Sequence, residues 1–138
     1  MKIAICASEG APYAKSGGLG DVMEALPAAL SRIEGNDVTL FLPYYNKIKT
    51  NTAYEVEKVA EFRVQLGWRQ QFCAVMKLTN RKDNVQVYFL DNEYYFGGRT
   101  GAIYGDSISD PSSFLIQASS TFTCSDPLKT VWSSYKYD

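Results

Sequence analysis

Apolar residues near the start of the chain form two short runs on either side of a segment with helical spacing. The runs Lys2 to Ala7 and Asp37 to Leu42 have the length and the largely apolar character of buried parallel strands. Between them, apolar residues recur every three or four positions, which predicts a helix that begins near Leu19 and is stopped near Gly35. Pro27 lies inside this helix and should kink it or loosen one hydrogen bond. Together these elements predict a βαβ unit with a right-handed crossover. The residues predicted to form the buried face of the helix are Leu19, Val22, Leu26, Leu30 and Ile33.

The middle of the chain alternates apolar and polar residues and is rich in Val, Phe and Tyr. The alternating segments are Tyr54 to Leu66, Arg69 to Leu78 and Val85 to Leu90, and they are separated by Gly67 and by a polar turn at residues 80–84. We interpret the first two as a β-hairpin excursion and the third as the return to the parallel sheet. The predicted fold class is therefore α/β, a Rossmann-like parallel sheet with a β-hairpin excursion.

The composition narrows the class of protein. The chain has 138 residues, of which 46% are hydrophobic and 21% are charged, and these values fit a globular domain rather than a disordered segment. The formal net charge of -1 provides no basic field for nucleic acid, so we expect no nucleic-acid partner. Apolar runs are too short for a membrane span or a signal peptide, so we expect no membrane partner and a cytoplasmic location.

The side chains available for chemistry are restricted. The sequence contains no histidine, which removes the commonest general base and metal ligand and any Ser–His or Cys–His nucleophile pair. Cys6, Cys73 and Cys124 are widely spaced and odd in number, so we predict reduced core thiols rather than a disulfide framework or a zinc site. Carboxylates, lysines and backbone groups remain as candidates.

A glycine-rich turn at the start of the predicted helix is the candidate site. Backbone N–H groups at a helix start have no intrahelical acceptor, and Lys15 adds a positive charge, so the turn can bind phosphate at the ligand edge of the sheet. It is not a Walker loop, because Ala14 precedes Lys15, and it is not a dinucleotide fingerprint, because Met23 stands where the third glycine is needed. Spacing alone leaves two interpretations open, a phosphate site at Gly17 and Gly18 or a flexible turn with a solvated lysine.

The segment from Ser8 to Val22 closely resembles the N-terminal signature of bacterial glycogen synthases and plant starch synthases. The usual form of this signature is Ser-Glu-x-x-Pro-x-x-Lys-Thr/Val-Gly-Gly-Leu-Ala/Gly-Asp-Val, from which only Ser16 departs mildly. Further segments resemble the family in the same order, and the resemblance covers residues 1–111. These segments are Leu42-Pro43-x-Tyr45, Phe89-Leu90-Asp91, Tyr95-Phe96 and Ile103-Tyr104-Gly105-Asp106.

The resemblance implies a fold and a reaction. Family members have two Rossmann-like domains that face a cleft, the GT-B architecture, and this chain would form part of the N-terminal half. Their reaction transfers glucose from ADP-glucose to the non-reducing end of an α-1,4-glucan with retention of configuration, and it needs no metal or other cofactor. ADP-glucose and an α-1,4-glucan are therefore the implied partners, and the oligomeric state stays open.

The resemblance also implies site residues, position by position, none of them a catalytic residue or a metal ligand. Two glycine amides would face the phosphates and a lysine would hold the diphosphate: Gly17, Gly18 and Lys15. Three residues would line the sugar and glucan side of the cleft: Glu9, Asp21 and Tyr104. Two alternatives stay open, in which Glu9 is a solvated loop residue and Asp21 only favours the helix N-terminus by its charge.

The resemblance ends before the family's pattern is complete. Serine occupies the family's arginine position at Pro111-Ser112-Ser113-Phe114, and a histidine-rich landmark of the cleft cannot be present. We therefore predict a partial N-terminal catalytic domain over residues 1–111 and a divergent Ser/Thr-rich tail over residues 112–138, with a short helix over residues 112–121. An expression boundary, a gene truncation and a frame change near residue 112 each fit this division. We expect the chain alone to be inactive; the alternatives are an inert truncated remnant and a carbohydrate-binding or regulatory module without catalysis.

Overall fold

The computed structural model describes residues 1–97, 115, 117–119, 121–122 and 130–134. Its strands are β1 (Lys2–Cys6), β2 (Asp37–Pro43), β3 (Val56–Leu66), β4 (Arg69–Leu78), β5 (Val85–Asp91) and β6 (Thr130–Ser134). Its helices are α1 (Gly18–Ser31), α2 (Asn46–Lys49) and one π-helical turn (Glu93–Gly97), with further helical residues between 115 and 122. Within these described ranges, no helix combines the length and the apolarity that a bilayer crossing requires.

The six strands form one sheet in the order β3-β4-β5-β2-β1-β6. Strands β5, β2, β1 and β6 are parallel to one another, with Ala4 opposite Thr39 and Leu40 opposite Val87. Strands β3 and β4 pair antiparallel, and β4 also pairs antiparallel with β5. The chain thus leaves β2, forms a hairpin at one edge and returns through β5 beside β2. The predicted α/β sheet with a hairpin excursion is confirmed.

The last part of the chain contributes to the same sheet. The sequence pattern predicted no element for residues 124–138, yet β6 lies there and is parallel to β1, with Lys2 opposite Thr130. Helical residues between 115 and 122 agree with the predicted short helix. The Phe122 ring of this segment packs on the sheet, with its centroid 6.0 Å from that of Phe41 and 5.2 Å from that of Tyr88.

The core lies on both faces of the parallel strands. Leu40, Phe41 and Leu42 are consecutive in β2, and all three are fully buried. Because successive side chains of a strand point to opposite faces, both faces of β2 are covered. This double coverage explains the continuous apolar run from which β2 was predicted.

The buried face of helix α1 agrees only in part with the one predicted. Leu19 and Leu30 are partly buried and pack against the core. The prediction is wrong for Val22, Leu26 and Ile33, which are 49%, 41% and 56% exposed. The predicted and the observed buried residues both recur every three or four positions along the helix. The sequence pattern favoured the predicted set because it has more large apolar side chains. Pro27 lies inside the continuous helix, and its expected effect, a kink or one loosened hydrogen bond, stays a prediction. The buried residues of α1 are Gly20, Met23 and Pro27.

Candidate functional site

The glycine-rich loop, defined here as residues 7–17, connects the carboxyl end of β1 to the start of α1. It folds back on itself, because Gly10 and Ala14 exchange backbone hydrogen bonds of 2.7 and 2.9 Å. It is also tied to the helix, because the amide of Ala11 donates to the carbonyl of Gly20 over 3.0 Å. The loop therefore has a defined shape at the edge of the sheet where ligands of open α/β folds bind.

Glu9 lies inside this loop and is only 1% exposed. Its carboxylate accepts hydrogen bonds from the Ser16 amide (3.0 Å), the Ser16 hydroxyl (2.5 Å) and the Gly20 amide (2.9 Å). Burial acts to raise the pKa of the Glu9 carboxyl, but these hydrogen bonds, with a contribution from the Gly17 amide, outweigh burial and hold the pKa below its ordinary value. The alternative of a solvated loop residue is therefore wrong, and Glu9 is a buried, ionised acceptor.

Lys15 and Asp21 form an ion pair beside the loop, with 2.6 Å between Nζ and Oδ1. The hydrogen bond from Lys15 to Asp21 raises the pKa of the lysine, so the ammonium stays charged. The stem of Lys15 passes over Gly20, where an added Cβ would lie 2.7 Å from Lys15 Cγ. The missing side chain at Gly20 therefore makes room for the lysine. Asp21 also lies in the first turn of α1, where its charge favours the helix start.

Gly17 and Gly18 form the exposed turn at the helix start. Gly17 is the N-cap of α1 and has an extended backbone, and as a glycine it has no side chain with which to cap the helix; the first-turn amide of Gly20 is accepted by Glu9 instead. A Cβ added to either glycine would meet nothing within 4 Å in the described part of the protein. The Gly17 amide contributes to the Glu9 interaction, whereas the amides of Gly18 and Leu19 donate to no acceptor among the described residues. Two amides and open space thus remain at the positive end of α1.

Residues from later in the chain hold the glycine-rich loop in place. The Tyr45 hydroxyl donates to the Ser8 carbonyl over 2.7 Å, and Arg81 Nη1 donates to the Tyr13 hydroxyl over 2.9 Å. Asp83 orients the Arg81 guanidinium through two hydrogen bonds, which hold the pKa of Asp83 below its ordinary value. The sequence analysis treated Arg81 and Asp83 only as part of a turn, because no local pattern signals a contact between positions 68 residues apart.

A second polar cluster lies where β2 and β5 end. The Lys49 ammonium contacts Asp91 at 2.7 Å and Glu93 at 3.5 Å, and it lies 5.3 Å from the centroid of the Tyr44 ring. These charges satisfy one another and join α2 to the end of β5. The cluster therefore supports the edge of the sheet on which the glycine-rich loop lies.

The predicted site residues divide into those the structure brings together and one that it does not describe. Tyr104 lies outside the described residues, and its role stays a prediction. The other five meet at the junction between the glycine-rich loop and α1: Glu9, Lys15, Gly17, Gly18 and Asp21.

Comparison with known proteins shows that most of the chain, including this junction, matches one family. A family model described as the starch synthase catalytic domain matches residues 2–133. Among curated proteins, glycogen synthases of Streptococcus agalactiae and Streptococcus pneumoniae are 46% and 44% identical to the chain over 106 residues. These matches cover 77% of the chain and 21% of each relative, so the chain spans about a fifth of the length of these relatives. The family match continues past residue 111, and the division of the chain at that residue stays a prediction.

A solved structure supports the fold. The catalytic domain of starch synthase IV from Arabidopsis thaliana, bound to ADP and acarbose, matches with a TM-score of 0.72 at 23% identity. The match covers 93% of this chain and 26% of that chain. The likeness confirms the predicted fold class, an α/β domain of the GT-B glycosyltransferase type.

Proposed function

Because the chain belongs to the family of starch synthase catalytic domains, we propose that its glycine-rich loop forms one half of the ADP-glucose site of a glucosyltransferase. The proposed acceptor is the non-reducing end of an α-1,4-glucan. One observation carries the proposal: three donors lie at the positive end of α1. They are the Lys15 ammonium, which is paired with Asp21, and the amides of Gly18 and Leu19, which have no acceptor among the described residues. A diphosphate suits such a set of donors, because it accepts both the charge and the directed hydrogen bonds.

The proposed chemistry is stabilisation of the leaving group. As the bond between glucose and the diphosphate breaks, negative charge builds on the phosphate oxygens of ADP. Donors that already point at these oxygens lower the barrier, because they need no reorganisation during the step. Lys15 supplies a full charge, and the amides of Gly18 and Leu19 supply hydrogen bonds. Gly17 contributes through its missing side chain, which leaves space beside the turn in the described part of the protein.

We assign Asp21 and Tyr104 to the sugar and glucan side of the same site. The Asp21 side chain is 60% exposed and lies beside Lys15, so its carboxylate can accept hydrogen bonds from hydroxyls of the glucan acceptor. Tyr104 is carried by the resemblance of its Tyr-Gly-Asp segment to the family. Glu9 was expected on this side as well, but both of its carboxylate oxygens are engaged by the loop.

We expect these 138 residues alone to lack transferase activity. The curated relatives are about five times longer than the matched part of this chain, and the family resemblance implies that a second Rossmann-like domain completes the diphosphate site. A half-site leaves the reacting groups without the positioning on which transfer depends. Incorporation of glucose from ADP-glucose into glycogen by the purified chain would contradict this expectation.

The test of the proposed site is a titration of the purified chain with ADP-glucose, followed by backbone NMR. We expect shifts at Gly17, Gly18 and Leu19 that disappear in Lys15→Ala and persist in Lys82→Ala, which removes an exposed lysine from the turn between β4 and β5. Absence of shifts at millimolar ligand would mean that this loop does not bind the donor in the isolated chain. Shifts that survive Lys15→Ala would overturn the assigned role of the lysine.

A further inference from the structure

A carboxylate occupies the inside of the glycine-rich loop, where an anion ligand of a helix start would otherwise be expected. The carboxylate belongs to Glu9, which is 1% exposed and accepts hydrogen bonds from two groups of Ser16 and from the amide of Gly20. These donors lie on both sides of the Gly17-Gly18 turn. The loop therefore closes around Glu9, and the amides of Gly18 and Leu19 are left without an acceptor among the described residues.

We propose that Glu9 is the positioning residue of the proposed diphosphate site, which holds the glycine-rich loop so that Lys15 and the amides of Gly18 and Leu19 are ready for the ligand. This inference rests on the proposed function for the identity of the ligand. The anchoring itself rests on the contacts of Glu9 in the ligand-free protein.

The chemistry of a carboxylate suits this position. A carboxylate is an acceptor at both oxygens, and every partner of Glu9 is a donor. In a glutamine of the same shape, an NH2 group would replace one of the two carboxylate oxygens. Either the donors of Ser16 or the amide of Gly20 would then have no acceptor, which costs free energy because these groups lie in the interior of the loop. The position therefore requires a charged acceptor that bridges Ser16 and Gly20.

The placement of Lys15 depends on the same anchor. Lys15 directly precedes Ser16, which is bound to Glu9, and its stem crosses Gly20, whose amide is bound to Glu9. Glu9 thus fixes the backbone on both sides of the lysine stem. Its own negative charge opposes a bound diphosphate, so a contribution to binding must come from positioning and not from direct attraction.

Repulsion of the diphosphate by the charge of Glu9 and positioning of the loop by Glu9 predict opposite changes in the affinity for ADP-glucose when Glu9 is replaced by glutamine. If Glu9 acted only through its charge, its removal would tighten the binding of ADP-glucose. Because Glu9 positions the loop, we expect the dissociation constant of ADP-glucose to rise about tenfold or more, the size expected for loss of a hydrogen bond to a charged group. The matched control is Glu57→Gln, at an exposed position of β3 outside the loop, which should leave the constant unchanged.

Amide hydrogen exchange in the ligand-free protein separates positioning from a general loss of stability. In Glu9→Gln we expect exchange at the Ser16 and Gly20 amides to accelerate about tenfold more than exchange at Leu40 and Phe41 in β2, whose acceleration reports only the loss of global stability. An equal acceleration in the loop and in β2 would show a purely global structural role and overturn the proposal. Unchanged exchange at Ser16 and Gly20, or tighter binding of ADP-glucose, would overturn it too.

A milder pair of variants serves if Glu9→Gln does not fold. Ser16→Thr keeps the hydroxyl that donates to Glu9 and should behave as the wild type, whereas Ser16→Ala removes it and should weaken binding and speed exchange at Gly20. Equal behaviour of the two variants would contradict the anchoring. If the wild type does not bind ADP-glucose but the exchange results hold, the proposed ligand fails while the anchoring by Glu9 stands.

Discussion

The Lys15 ammonium lies 2.6 Å from the Asp21 carboxylate, so the one lysine of the glycine-rich loop is already paired in the ligand-free protein. Both side chains are about half exposed, at 47% and 60%. A diphosphate that binds Lys15 must therefore compete with Asp21, or share the ammonium with it. Exposed pairs of this kind are weak, so the competition is modest.

Replacement of Asp21 by asparagine tests this competition. We expect Asp21→Asn to tighten the binding of ADP-glucose a few-fold at low salt, because the carboxylate next to Lys15 is removed, and the effect should fade as salt screens the charges. Calorimetric or NMR titration measures it, with the exposed Asp37→Asn as the control. Weaker binding in Asp21→Asn would instead indicate that this carboxylate contacts the donor sugar directly.

Two glycines of the junction should respond differently to alanine. In Gly20→Ala, the new Cβ would lie 2.7 Å from Lys15 Cγ, so the lysine must move even in the ligand-free protein. In Gly18→Ala, the new Cβ meets nothing among the described residues, so the ligand-free protein should be unchanged or slightly more stable.

The comparison is made with NMR spectra before and after addition of ADP-glucose. We expect Gly20→Ala to shift the Lys15 and Asp21 signals without ligand, and Gly18→Ala to leave them in place while weakening the binding. Binding of wild-type strength in Gly18→Ala would show that no ligand approaches this backbone closely.

Most of the fold could be predicted from the sequence because its signals are local. The run at β2 and the alternation at β3 and β4 reflect how each strand is buried, and their predicted bounds agree with the structure within two residues. The glycine-rich loop was found for the same reason, since Lys15 and the following glycines are adjacent in the chain. The inward position of Glu9 and the contact between Arg81 and Tyr13 depend on the folded chain and have no local signal.

The buried face of α1 was predicted only in part, and the difference gives a prediction of its own. Met23 is 2% exposed and Leu26 is 41% exposed. We expect Met23→Ala to lower the free energy of unfolding by about 2 to 5 kcal/mol, because it leaves a cavity in the core. Leu26→Ala should cost less than about 1 kcal/mol, because its side chain is partly in water. Urea denaturation measures both, and a larger cost for Leu26→Ala would support the originally predicted face.

The contact between Tyr13 and Arg81 should stabilise the glycine-rich loop. The Tyr13 hydroxyl accepts a hydrogen bond of 2.9 Å from the guanidinium, and Tyr13 is 5% exposed. We expect Tyr13→Phe to lower the free energy of unfolding by about 1 to 2 kcal/mol, because the ring stays and the hydrogen bond to a charged donor is lost. Tyr94→Phe is the control, because Tyr94 is 60% exposed. Equal effects of the two variants in urea denaturation would argue against the tether.

The ionised state of Glu9 predicts how stability depends on acid. Although burial acts to raise the pKa of Glu9, hydrogen bonds from Ser16 and Gly20 hold this pKa below its ordinary value in the folded protein. The unfolded state therefore binds protons first as the pH falls, so the stabilisation from Glu9 is fully present above about pH 4.3 and is lost as the pH drops through the folded pKa. Asp83, whose pKa is also lowered, contributes in the same acid range.

Urea denaturation of the wild type and Glu9→Gln between neutral pH and the acid range isolates the contribution of Glu9. Asp83 titrates in both proteins and cancels from their difference, provided that the substitution leaves its surroundings intact. We expect Glu9→Gln to be less stable than the wild type at neutral pH. The difference in the free energy of unfolding should shrink in acid, because protonation of Glu9 removes from the wild type the negative charge that the substitution has already removed. A difference that stays constant down to the acid end would mean that Glu9 is not ionised in the fold, and its role as a charged anchor of the loop would have to be abandoned.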